Sequence, residues 1–183
     1  MRRTRALLAM LLLLPFVAMH VTDEVDWDAA DFAFAGALIA GTGVTFELAA
    51  RTTSNPAYRA AVGVALAAAF ILIWINAAVG IIGSEDNPAN LMYGGVIAVG
   101  IIGAVIARFQ PQGMARAMVA TALAQALVAV IALIIGLGSP WSPPGVLGTL
   151  ILNGFFAGLF VGSALLFRYA AREQTPADAG PEG

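Results

Sequence analysis

The sequence predicts an all-α membrane protein, a bundle of six transmembrane helices with both termini on the cytoplasmic side. Three observations carry that prediction. The chain is 60% hydrophobic and 11% charged, which is more apolar surface than a soluble domain of 183 residues can bury. Its nine basic residues are all arginines, and they fall in four places: Arg2, Arg3 and Arg5; Arg51 and Arg59; Arg108 and Arg116; Arg168 and Arg172. Long apolar stretches separate these places, and the alternate connections carry Asp23, Glu24, Asp26, Asp28, Asp31, Glu85 and Asp86 with no base among them. Counting six crossings puts every arginine on one side, the positive-inside pattern.

A helix crosses the hydrocarbon in about 20 residues. The first span, about 6–21, has a basic start and Leu7–Leu14 at its centre. That pattern also describes a signal peptide. Val17-Ala18-Met19 lacks a small residue before the cut, so a retained helix is the expectation and a cleaved leader the alternative. The second span, about 31–50, opens at Asp31 and closes at Arg51. The third, about 56–83, begins with Asn55 as N-cap and Pro56 at the first helical position. Asn87 and Pro88 start the fourth, about 88–109, in the same way. The fifth, about 114–137, and the sixth, about 146–170, follow Met114 and Val146. The tail 173–183, with Pro176, Gly180 and Pro181, reads as a disordered cytoplasmic segment. Trp27, Tyr93 and Trp141 fall at outer span ends and Tyr58 and Tyr169 at inner ends, where amphipathic rings favour the headgroup level.

Gly154, Gly158 and Gly162 lie four apart on the sixth span. Residues at that spacing share a helix face, and glycines there form a groove for a second backbone. Packing within the chain is one reading and a homo-oligomer face the other. Gly36, Ala40 and Gly43 give a weaker version on the second span. The hexapeptide Ala78-Val79-Gly80-Ile81-Ile82-Gly83 recurs as Ala98-Val99-Gly100-Ile101-Ile102-Gly103, a coincidence expected of a chain this rich in small apolar residues.

Composition excludes much chemistry. Without cysteine there is no disulfide, thiolate nucleophile or cysteine-bound metal. Without lysine there is no Schiff base. One histidine cannot supply a paired haem ligation, and no nucleophile stands with a base, so neither catalysis, cofactor nor metal is expected. Arginines in pairs and threes leave no nucleic-acid footprint. Inside the spans, Glu47, Asn76, Gln125 and Asn153 form a candidate polar path or interhelical cluster, because polar groups at membrane depth need partners. Glu47 lies one turn before Arg51, which suggests an ion pair, or else a cation site with Thr42 and Thr45. Asp23, Glu24, Glu85 and Asp86 form a candidate outer-loop site for a hard cation, weighed against a solvated acidic rim.

Asn55-Pro56-Ala57 and Asn87-Pro88-Ala89 resemble the paired tripeptides of the aquaporin family. That resemblance implies two half-helices meeting at the bilayer centre. Here the motifs stand at opposite ends of one span, roughly 45 Å apart along a helix. Asn90 occupies the place of the family's pore arginine, so helix capping is the better reading. The phrase Trp74-Ile75-Asn76, Ala78–Gly83 and Ser84-Glu85-Asp86-Asn87-Pro88-Ala89-Asn90 resembles one carried by uncharacterised small bacterial integral membrane proteins. The likeness extends from the acidic outer loop to about Gln125 and implies no activity, substrate or cofactor. The expectation is a non-enzymatic, multi-pass protein of the bacterial inner membrane. It would act as a scaffold or as a subunit of a membrane complex or homo-oligomer, with the lipid bilayer and other membrane proteins as partners. The alternative is a small-solute or ion permease lined by the intramembrane polar residues.

Overall fold

The computed structural model describes residues 27–83, 86–136 and 145–174, together with Val17, Met19 and Val21. These residues are helical or in turns, with no strand among them. Five helices are long and apolar enough to cross a membrane: α1 (Ala29–Thr52), α2 (Pro56–Ala78), α3 (Met92–Ile106) with the 3-10 turn Pro88–Leu91 ahead of it, α4 (Pro111–Ile134) and α5 (Gly145–Gln174). The chain is a multi-pass, all-helical membrane protein. The span expected at about 6–21 lies outside the described residues apart from three isolated positions.

The chain divides into two units, Met1–Leu48 and Ala49–Gly183. In the first, α1 starts with two reinforcing devices. Asp28 Oδ1 accepts from the N–H groups of Ala30 (2.7 Å) and Asp31 (3.0 Å), and Asp31 Oδ2 accepts from Asp28 N–H at 3.0 Å. This is a capping box in which aspartate takes both roles. Trp27 and Phe32 then meet edge to face at 5.2 Å, a hydrophobic staple across the cap.

In the second unit, α2 to α5 run up and down. Ser163 Oγ on α5 donates to Ala61 O on α2 at 2.8 Å, and Tyr58 meets Phe167 edge to face at 5.1 Å. The paired numbers rise on one helix as they fall on the other, so the two are antiparallel. The same relation joins α4 with α5 and α3 with α4, giving the lateral order α2, α5, α4, α3. The core between them holds Leu72, Val96, Phe156, Phe160 and Phe167, while Leu123, Leu127, Ile151 and Leu165 are exposed. An apolar exterior is what a lipid-facing surface requires.

Several helix ends differ from the sequence expectation, each for a backbone reason. Helix α2 stops at Ala78 rather than 83 because Gly80 takes φ +70°, the left-handed C-terminal position glycine favours. Helix α4 stops at Ile134 rather than 137, with Gly136 at φ +75°. Helix α3 stops at Ile106 rather than 109 in a Schellman turn: Phe109 N–H donates to Ala104 O (3.2 Å) and Arg108 N–H to Val105 O (3.0 Å). Arg108 and Phe109 sit there at φ 48° and 58°, without glycine's freedom. Pro111 begins α4 at once, earlier than the expected 114. Helix α5 runs on to Gln174, so Glu173 and Gln174 are helical where a disordered tail was expected. The rest of that tail lies outside the described residues.

Both asparagine–proline tripeptides are helix starts. Asn55 Oδ1 accepts from Tyr58 N–H at 2.9 Å, and Asn87 Oδ1 from Ala89 N–H at 3.0 Å. The recurring hexapeptide takes two conformations: its first copy leaves the helix after Ala78 in a turn whose Gly80, Ile81 and Ile82 are buried, and its second is helix interior at 98–103. Its second copy makes the close helix contact of this unit. A Cβ added at Gly103 would stand 2.8 Å from Ala117 Cβ, and one at Gly100 would stand 3.2 Å from Thr121 Oγ1.

Candidate functional site: a buried amide and phenol cluster

Three helices bring their polar side chains to one point. Gln125 lies halfway along α4 and Asn153 on α5; their residue exposures are 0% and 1%. Gln125 Nε2 donates to Asn153 Oδ1 at 2.8 Å. Tyr93, in the first turn of α3, donates its hydroxyl to the same oxygen at 3.2 Å. Asn153 Nδ2 donates back to Thr149 O, one turn earlier on its own helix, at 2.8 Å. One carboxamide thus joins α3 and α4 to α5. In the absence of water, these bonds are the available way to satisfy the groups. Gln125 Oε1 is buried and accepts no hydrogen bond among the described residues.

Asn76 belongs to a second arrangement, at the α2–α3 connection. Its Nδ2 donates to Asn90 O at 3.2 Å, and its Oδ1 is buried without a donor among the described residues. Asn90 Oδ1 accepts from Ile81 N–H (3.2 Å) and Ile82 N–H (3.0 Å). That side chain tethers the turn after α2 and lets Ile81 and Ile82 bury completely in the core. The expected four-residue path therefore divides. Gln125 and Asn153 bond directly, while Asn76 bonds at the loop. Glu47 is exposed on α1 in the first unit. Thr42 and Thr45 donate their hydroxyls to Leu38 O (2.8 Å) and Gly41 O (2.7 Å) of their own helix.

Two rings expected at span ends bond within the bundle. Tyr93, expected at the headgroups, is 2% exposed and part of the cluster; Tyr58 is 6% exposed, its hydroxyl donating to Phe109 O at 2.7 Å. Tyr93 bonds a buried acceptor, Asn153 Oδ1, and Tyr58 bonds the Phe109 carbonyl in the exposed turn between α3 and α4. Tyr169 remains exposed on α5, and Trp141 lies outside the described residues. Of the outer-loop residues, Asp86 is exposed in the turn before Pro88, while Asp23, Glu24 and Glu85 lie outside the described residues. Gly154, Gly158 and Gly162 carry no intramolecular packing among the described residues: a Cβ at any of them would meet nothing within 4 Å. The close approach expected there occurs instead at Gly100 and Gly103.

Sequence reading missed Tyr93 and Asn90 as bonding partners. Each stands near a helix start, where an anchor or a cap is the local explanation. The signal for Tyr93 lies in its partner, since an asparagine within a span needs donors from other helices. The cluster is chemically neutral: it holds helices together and presents one unused acceptor. No family model, curated protein or solved structure matches the chain.

Proposed function

We propose that the protein is a non-enzymatic, six-span component of the bacterial inner membrane, with both termini in the cytosol. In this reading it serves as a scaffold, or as a subunit of a membrane complex or homo-oligomer. The observation that supports this reading is the use of Asn153: both ends of its amide are occupied by bonds within the bundle. An amide so engaged fixes helix positions and leaves little to offer a passing solute. The face at Gly154, Gly158 and Gly162, which meets no side chain within 4 Å among the described residues, suits close approach by another helix. Cross-linking in native membranes tests the reading. A defined adduct that Gly158→Leu abolishes, with helicity retained, supports an assembly role; a monomer that captures no partner counts against it.

The permease reading is favoured by a separate observation, the bare acceptors Gln125 Oε1 and Asn76 Oδ1. Buried acceptors with no donor are places where a solute N–H, a hydroxyl or a cation is stabilised. Proteoliposome flux decides between the two. Solute flux lost in Gln125→Leu or Asn76→Leu, with unchanged melting, establishes transport, and its absence across neutral solutes and monovalent cations favours the scaffold.

A further inference from the structure

The bundle end that holds Tyr58 and Phe109 also holds a cleft of about 410 Å3 between the first turns of α4 and the last turns of α5. Arg116, Arg168 and Arg172 line it with Gln112, and no carboxylate is among the described lining residues. The spacing explains the convergence. Gln112 and Arg116 are one turn apart on α4, and Arg168 and Arg172 are one turn apart on α5, so two adjacent helix faces each present a polar pair. The positive end of the α4 dipole and the negative end of the α5 dipole meet here and offset each other, so the arginines set the charge of the cleft. Glu173, the acid next to Arg172, accepts instead from Asn55 Nδ2 at 3.0 Å.

The wall changes character toward the bilayer centre. Val119 lines the cleft and is 42% exposed, and Leu123 and Leu165 continue the same two faces, exposed in turn. Guanidinium forks match phosphate oxygens, and basic recesses between transmembrane helices suit lipid head groups. A free anion would use the arginines and leave the apolar wall bare. A molecule with a phosphate at one end and hydrocarbon at the other uses both.

We propose that this cleft binds the phosphate of an anionic phospholipid, with an acyl chain lying against Val119, Leu123 and Leu165. The proposal rests on the helices crossing a bilayer, and it holds whichever way the bundle faces. Native mass spectrometry of the full chain, released from detergent with phosphatidylglycerol or phosphatidylcholine, tests it. Wild type is expected to retain phosphatidylglycerol in preference. Each arginine contributes roughly fivefold, so R168Q/R172Q is expected to weaken that retention about 25-fold. The charge-matched control R59Q/R108Q, outside the cleft, should change it less than about twofold by the same reasoning. Equal loss in both variants, or no loss in R168Q/R172Q, overturns the site. Displacement of the lipid by equimolar inorganic phosphate also overturns it, in favour of a free-anion site. Should R168Q/R172Q fail to fold, R116Q is read against R59Q by the same criteria. Carbonate extraction of the same membranes keeps the premises apart. A chain that stays membrane-bound yet shows no lipid preference overturns the site alone, and a chain that is extracted overturns the bilayer reading.

Discussion

Asn153 and Gln125 share one hydrogen bond but differ in what their removal leaves behind. Asn153→Leu strips the acceptor from both Tyr93 Oη and Gln125 Nε2. Two buried donors without partners cost on the order of 2–4 kcal/mol, so a clear drop in melting temperature is expected by circular dichroism in detergent. Gln125→Leu deletes a bond worth about 0.6 kcal/mol and at the same time deletes the bare Oε1. Its expected effect on melting is small, and an upward shift would identify that oxygen as a source of instability. Asn90→Ala belongs with Asn153→Leu, because it frees the N–H groups of Ile81 and Ile82 inside the core. A loss of about 2–4 kcal/mol is expected there too. Gln125 and Asn153 were legible in the sequence as polar letters at membrane depth. Tyr93 and Asn90 were not, since their roles depend on which backbone or amide another element brings within 3.2 Å.

At the scale of the helix, small residues are informative only when their neighbours are known. Gly103 and Gly158 are alike by composition and opposite by surroundings. An alanine methyl at Gly103 would press on Ala117 Cβ at 2.8 Å and Cα at 3.3 Å, neither of which can rotate away. Separation of α3 from α4 should cost about 1–3 kcal/mol, whereas Gly158→Ala, with nothing within 4 Å, should leave detergent melting at or slightly above wild type. Glycine spacing made Gly154, Gly158 and Gly162 the obvious choice from sequence; the tighter contact uses spacing three apart in a shorter helix. The starts at Pro56 and Pro88 were read well because Asn55-Pro56 and Asn87-Pro88 carry their signal locally, whereas α4 begins at Pro111, ahead of the expected 114. Ends were read less well. Arg108 occupies the left-handed position of a Schellman turn without glycine, and no sequence rule anticipates that. Arg108→Gly should relieve about 1 kcal/mol of backbone strain and raise the melting temperature, a result that guanidinium bonding at that site would reverse.

For the whole chain, the arginine partition is the most legible feature. Within the second unit, Arg59 lies near the start of α2, Arg108 and Arg116 flank the α3–α4 turn, and Arg168 and Arg172 lie on the last turns of α5, at the same end of the bundle. Asp86 lies beyond the other end, between α2 and α3. Because the chain has no cysteine, single substitutions can report sidedness without background. Gln112→Cys is expected to react with an impermeant maleimide only in inverted vesicles, and Asp86→Cys only in intact spheroplasts. Reaction of both from one face would remove the six-span, N-in and C-in orientation. The count of six itself was read from residues about 6–21, and the five described helices neither extend nor shorten it. The two forms of the hexapeptide carry a last consequence. Residues 79–83 have the same letters that wind into α3 at 99–103, so composition alone does not end α2 there. Distant tethering by Asn90, with Gly80 as pivot, keeps them open against a latent coil. Released from that amide, α2 has the sequence to lengthen by more than a turn, pushing its outer tip about 7 Å toward the aqueous face.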